Sequence, residues 1–146
     1  MASFNARLVT PESVLFDDDV EAVILRDGLG DVTFLAGHSP LVGSVVPGLV
    51  RFVRADGDEQ SAAAHGGFVH VEEQGRVTVM APSAELAEEI DVERARRALE
   101  EAEARLSELA SAGRNVTTDE GPVDVDVEEA ETRKRRAEVR IEVAGG

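Results

Sequence analysis

The spacing of apolar residues changes near residue 86, and no other feature constrains the fold as much. Before it, short apolar runs alternate with polar residues and are broken by Gly, Asp and Pro; after it, apolar residues recur at helical spacing. Phe4, Ala6 and Leu8 alternate with Asn5 and Arg7, which predicts a half-buried strand. Thr10-Pro11-Glu12 ends it, because proline has no N–H to donate to a ladder. Val14 and Phe16 predict a short second strand, and Asp17-Asp18-Asp19 a solvated turn. Val20 to Leu25 reads as one buried strand, and Asp27-Gly28-Leu29-Gly30 as a loop. Val32 and Phe34, then Leu41 to Val46, predict two strands around Gly37-His38-Ser39-Pro40. Two hairpins follow, across Asp56-Gly57 and across Gln74-Gly75. Pro82-Ser83-Ala84-Glu85 predicts the end of the last strand. Nine or ten strands in about 80 residues predict a β-sandwich or flattened barrel, not a βαβ sheet. Trp and Tyr are absent, so the expected core is aliphatic with five Phe.

The remainder predicts two helices. Asp91 is the expected N-cap of the first, with Glu93 near the positive end of its dipole. Ala95, Ala98, Leu99, Ala102, Leu106, Leu109 and Ala110 make one amphipathic stripe, mostly alanine and suited to a closely packed partner helix. Gly113 fits the position just past its end. Asn115 to Pro122 reads as a polar loop. A second helix is expected over about 123–140, with Val123, Val127, Ala130, Ala137 and Ile141 on one face and Lys134 interrupting it. Its first turns are acidic and its last basic, which complements the dipole. Glu138 to Val143 also alternates like a strand. The domains are expected at 1–86 and 87–146.

Charge disfavours some functions. The net charge is −15, and both halves are acidic: five Arg against thirteen acids over residues 1–86, ten basic residues against seventeen acids thereafter. Nucleic acid is disfavoured as a partner, because phosphate neutralisation needs a basic surface, and none is expected. Adsorption to an anionic bilayer is disfavoured likewise. No Cys is present, which removes disulfides and thiolate metal sites. No signal peptide and no membrane-spanning run are seen, so a membrane is reached only through a partner.

The search for chemistry finds little. His38 has no orienting acid and no well-placed nucleophile in its turn, so it reads as a partner contact rather than a base. The three histidines lack zinc-ligand spacing. The glycines form no phosphate loop. Asp91 and Arg94 lie one turn apart at a helix start and read as a cap with a solvated pair, or as part of a nucleotide site. In the second case a folded hairpin would add the basic run Arg133, Lys134, Arg135 and Arg136, or Arg140, since guanidinium suits bidentate phosphate contacts.

Three motifs carry a resemblance. Gly30-Asp31-Val32-Thr33-Phe34-Leu35-Ala36-Gly37-His38-Ser39-Pro40-Leu41, then His65-Gly66-Gly67-Phe68, then Ile90-Asp91-Val92-Glu93-Arg94-Ala95 occur in the order seen in the epsilon subunit of bacterial F-type rotary ATP synthase. The resemblance covers about residues 4–110, with Thr33 where Gly is usual and Ala36 where Pro is usual. It implies an α+β fold, a ten-stranded N-terminal sandwich followed by an antiparallel two-helix hairpin. It implies a non-catalytic central-stalk subunit of a proton-translocating complex, peripheral on the cytoplasmic face of the membrane. The partners implied are the gamma subunit and the c-ring, with Asp31 and His38 as ring-side contacts. The catalytic alpha and beta subunits would be met through the hairpin, with Arg133, Lys134, Arg135, Arg136 and Arg140 as inhibitory contacts. No cofactor is required. ATP is implied as a regulatory ligand, because Ile90, Asp91, Arg94 and Ala95 match the motif of ATP-binding members and Glu85 lies where a further ligand is placed. Glu101 stands close to where those members carry an arginine. The runner-up is a free nucleotide-sensing module; a small β-sandwich hydrolase would need a nucleophile–base pair that the sequence does not offer.

Overall fold

The computed structural model describes residues 2–114 and 124–145. It divides into two compact units, Met1–Ile90 and Asp91–Gly146.

The first unit is built from ten strands: β1 (Phe4–Val9), β2 (Val14–Val20), β3 (Ala22–Asp27), β4 (Gly30–Leu35), β5 (Leu41–Val45), β6 (Gly48–Val53), β7 (Glu59–Ala64), β8 (Gly67–Val71), β9 (Val77–Met80) and β10 (Ala84–Leu86). They form two five-stranded sheets, ordered β2-β1-β9-β8-β5 and β10-β7-β6-β3-β4. Every pairing is antiparallel except that of β1 with β9. One turn of 3-10 helix, Ala87–Glu89, follows β10.

Alternation places Phe4, Ala6 and Leu8 of β1 inward, facing Val23, Leu25, Val50 and Phe52 of the other sheet within one apolar cluster. Phe16 of β2 stacks on Phe52 of β6 with ring centroids 4.3 Å apart, joining the edge of one sheet to the middle strand of the other. Four of the five Phe lie in this core; Phe68 is 56% exposed, against the expectation for all five.

Three strand readings are corrected. Asp17-Asp18-Asp19 is not a turn but the second half of β2. The run is tolerated because β2 edges its sheet and its carboxylates meet cations and amides: Asn5 donates to Asp17 at 2.9 Å, and Arg54 donates to Asp18 at 3.0 Å. The Arg54 hydrogen bond holds the Asp18 carboxyl below the usual range. Such charge on an edge strand also discourages pairing with another chain. Val20–Leu25 is not one strand: Val20 ends β2, the chain bends at Glu21, and β3 starts at Ala22 in the opposite sheet. Pro82 and Ser83 do not end the strands, since Ala84–Leu86 adds β10 beside β7. Three residues are too short to display a period.

The second unit is a pair of helices, α1 (Val92–Ser111) and α2 (Val125–Gly145). Asp91 caps α1 by accepting from the Arg94 N–H at 3.1 Å. At its end, Gly113 takes φ +77° and donates to Ala110, while Arg114 N–H donates to the Leu109 carbonyl at 2.8 Å. This closure satisfies carbonyls that the helix leaves open. Leu106 and Leu109 pack on Val127 and Ala130, so the end of α1 meets the start of α2 and the helices run antiparallel.

The predicted stripe of α1 is buried at Ala95, Ala102 and Leu109, one residue per two turns, but Ala110 is exposed. The second helix runs to Gly145, not to 140, and its strand-like tail is helical. Its buried face includes Val139 and Val143, which the expected stripe left out, while Ile141 and Lys134 are half-buried. With the longer helix, the arginines fall at its middle and the last turn carries no basic residue, so the expected dipole match at that end is lost. Val123 and the expected 115–122 loop lie outside the described residues.

Candidate functional site

Four places in the molecule hold the side chains that the sequence singles out or that stand exposed without packing. The first is the edge strand β4 and the turn after it. Asp31 lies at the start of β4, exposed, with the Arg26 Nε donating to it at 3.3 Å. His38 lies beyond the other end of β4. Its N–H donates to the Leu35 carbonyl at 3.2 Å, its Nδ1 lies 2.9 Å from the Ser39 carbonyl, and its ring meets Phe34 edge-on at 4.8 Å. The backbone of Gly37 takes φ +83° to make this turn, which glycine adopts cheaply. Asp31 and His38 therefore occupy opposite ends of one edge strand. Between them opens a cavity of about 320 Å³ lined by Leu25, Val32, Phe34, Leu41 and the His38 ring.

The second place is the outer face of the β2-β1-β9-β8-β5 sheet. Inward residues of β8 and β9 (Val69, Val71, Val77, Val79) are buried, so their neighbours point out. Phe68 stands opposite Met80 and Ser44, and Val42 opposite His70. Phe68, Met80 and Val42 are 56%, 39% and 69% exposed. Three large apolar side chains on adjacent strands leave a contiguous patch that water solvates poorly. The patch is not legible in the sequence, because alternation assigns a face to each residue but does not say which face is covered.

The third place is the passage from sandwich to helix. Glu85 sits in β10, with its carboxylate 3.5 Å from the Nε2 of His65, whose side chain is almost wholly buried. Ile90 is buried at the end of the first unit. Asp91, Arg94 and Ala95 open the second: Asp91 is engaged as the cap, Ala95 is buried, and the Arg94 side chain is exposed.

The fourth place is a groove along α1 and α2, about 400 Å³, in which Arg105, Arg133, Arg136 and Arg140 converge over Ala98, Ala102 and Ala130. Small side chains on both helices make the room. Positions 133, 136 and 140 lie three and four residues apart and so share a helix face, whereas Lys134 and Arg135 are absent from the groove wall. Arg105 joins them from α1; sequence alone could not pair it with residues some thirty positions on. Glu101, Asp126 and Glu129 also line the groove. Arg133 is held by Glu129 and Arg105 by Glu108. No cluster of metal-ligating side chains occurs among the described residues. No described helix is long and apolar enough to cross a membrane.

The arrangement offers surfaces, turns and a cationic groove, and comparison with known proteins decides among the families that could use them. Residues 3–87 match the family model of the ATP synthase delta/epsilon chain beta-sandwich domain, and residues 88–118 that of its long alpha-helix domain. The chain belongs to the delta/epsilon family of ATP synthase. Among epsilon chains, that of Bacillus velezensis is 37% identical over 145 residues, 99% of each chain. That of Symbiobacterium thermophilum is 38% identical over 146 residues, 99% of this chain and 95% of the other. A chain in the cryo-EM structure of the Euglena gracilis mitochondrial ATP synthase (OSCP/F1/c-ring, rotational state 1) superposes with a TM-score of 0.78 at 26% identity, covering all of this chain and 83% of the other. The chain is thus a non-catalytic epsilon chain of the F-type ATP synthase. Its sandwich followed by a helix pair is the architecture expected of that family.

Proposed function

We propose that the sandwich is a rigid coupling piece between the gamma shaft and the c-ring of a proton-translocating ATP synthase on the cytoplasmic face of a bacterial membrane. The observation that carries this reading is the exposed apolar patch of Phe68, Met80 and Val42 on three adjacent strands of one sheet. A coupling piece must stay attached under torque. Burial of such a patch against gamma supplies non-directional attachment that isolated surface ion pairs do not match. Asp31 and His38, on the exposed β4 strand and its following turn, are the candidate ring-side contacts. Reconstitution of the complex with and without this chain tests the reading: proton-coupled ATP synthesis is expected to require it, and unchanged coupling overturns it.

The arginine groove favours a second role. The hairpin acts as a regulatory arm that meets the alpha and beta subunits and restrains hydrolysis, with Arg133, Arg136 and Arg140 as contacts in a groove and Lys134 and Arg135 outside it. ATP is the regulatory ligand of this reading, with Glu85 of β10 and Ile90 as candidate ligands from the first unit and Asp91, Arg94 and Ala95 from the start of the second. Glu101 lines the groove as a carboxylate, which weakens attraction for phosphate there. Calorimetry on the intact chain separates the alternatives. Micromolar ATP binding favours a nucleotide sensor, and no binding leaves a mechanical part. Removal of the residues after Gly113 from the complex is expected to raise ATP hydrolysis, and no rise removes the inhibitory role.

A further inference from the structure

Arg114, just past α1, joins the two helices through the carboxylates of Asp124 and Asp126 at the start of α2. It is the third residue past the end of α1, and its backbone is fixed there by the hydrogen bond to Leu109. Its guanidinium forks onto both oxygens of Asp124, at 2.7 and 2.8 Å, and also reaches Asp126 at 2.8 Å. The same Asp124 Oδ1 caps α2, accepting from the N–H groups of Asp126 at 3.1 Å and Val127 at 3.3 Å. Asp124 is only 17% exposed although it lies at a helix end. Capping of one helix and tethering of the other thus rest on one charged group. Paired-fork geometry makes this stronger than a loose surface pair.

The packing beneath is thin. Buried side chains on α1 are Ala95, Ala102 and Leu109, and on α2 Val127, Ala130, Ala137, Val139 and Val143, so four of the eight are alanine. Alanine buries little area, so apolar packing alone holds the pair weakly and a charged clasp has a large share in the balance. We infer that the Arg114–Asp124–Asp126 clasp sets the equilibrium between paired and separated α1 and α2, and that loosening it frees α2. Its consequence for hydrolysis rests on the regulatory reading above; its effect on helix pairing does not.

The chain lacks Cys, so two labels can be placed without background. Glu100→Cys and Glu138→Cys, both exposed and remote from the clasp, carry spin labels on the full chain. Arg114→Gln and Asp124→Asn are compared with the parent. Asparagine still caps a helix, so loss of α2 does not confound the second variant. Each is expected to raise the separated fraction about threefold at low salt, in line with a forked but partly exposed ion pair, and added salt shifts the parent the same way. Unchanged distance distributions in variants of parental helix content overturn the inference. The same variants in the reconstituted complex are then assayed for hydrolysis. Separated helices with unchanged hydrolysis uphold the clasp and remove the regulatory reading. Unmoved labels remove the clasp, and truncation after Gly113 still tests the regulatory reading on its own.

Discussion

At Gly67 the backbone runs so close to β9 that a Cβ would lie 2.0 Å from the Met80 carbonyl oxygen, and φ is +124°. Both partners of that clash are backbone, so neither can swing away. Gly67→Ala is expected to destabilise the sandwich by on the order of 3 kcal/mol, read as the shift in a urea or thermal unfolding curve; a shift under about 1 kcal/mol would contradict the close approach. The sequence marked His65-Gly66-Gly67-Phe68 as a family signature, but the reason for the glycine is a carbonyl from another strand. Asp91 and Gly113 were legible for the opposite reason: capping and helix termination are local chemistry, written within four residues. Arg114 was not legible, because its partners lie ten and twelve residues on. The hydrogen bond from Arg114, more than any other contact, holds the Asp124 carboxyl below its ordinary value of 3.8. The folded form therefore binds a proton less readily than the unfolded one. The clasp's contribution is full above the ordinary carboxylate range and is lost as pH falls through the depressed native value. Label distances titrated with acid should stay constant down to that range and lengthen below it, and Asp124→Asn should flatten this acid response.

Among the elements, strands bounded by hairpin signals were read closely, as were β1 and β5, while β2 and β3 were not. β6 with β7 and β8 with β9 carry Asp-Gly and Gln-Gly turns and fall where expected. β2 was cut short because three aspartates mimic a turn, and only its edge position with Arg54 and Asn5 opposite makes them a strand. The tail of α2 was ambiguous because Val139, Ile141 and Val143 fit a period of two, while Val127, Ala130 and Ala137 fit a helical face over a longer window. Leu109 is the largest wholly covered side chain of α1 and meets Val127 and Ala130. Leu109→Ala is expected to weaken helix pairing by about 2–3 kcal/mol, seen as earlier loss of the helical dichroism signal on heating the full chain. Retention of that signal would mean that the clasp, not this contact, dominates.

For the whole molecule, acidity and the absence of a catalytic cluster pointed away from nucleic acid and from catalysis, and two small units with separate cores followed from the change of period. What the sequence could not disclose was which faces stay bare. Alternation treats Phe68 and Val69 alike as apolar, yet one is 56% exposed and the other 2%. Phe68→Asp leaves the core untouched and is expected to keep the unfolding curve while lowering recovery of this chain with the assembled complex by about tenfold or more, as truncation of an interface anchor does. Undiminished recovery would place the gamma contact elsewhere.

The parallel register of β1 with β9 has a consequence for synthesis. The first strand to leave the ribosome finds one lasting neighbour at once, β2, and must wait for Val77–Met80 before its other flank is closed. Nascent chains halted before that point hold Ala6 and Leu8 beside an open edge, whereas the helices behind them emerge only after the barrel-like body is complete. Birth order therefore makes the docking module ready before its appendage exists, and arrested chains are the ones that chaperones must shield.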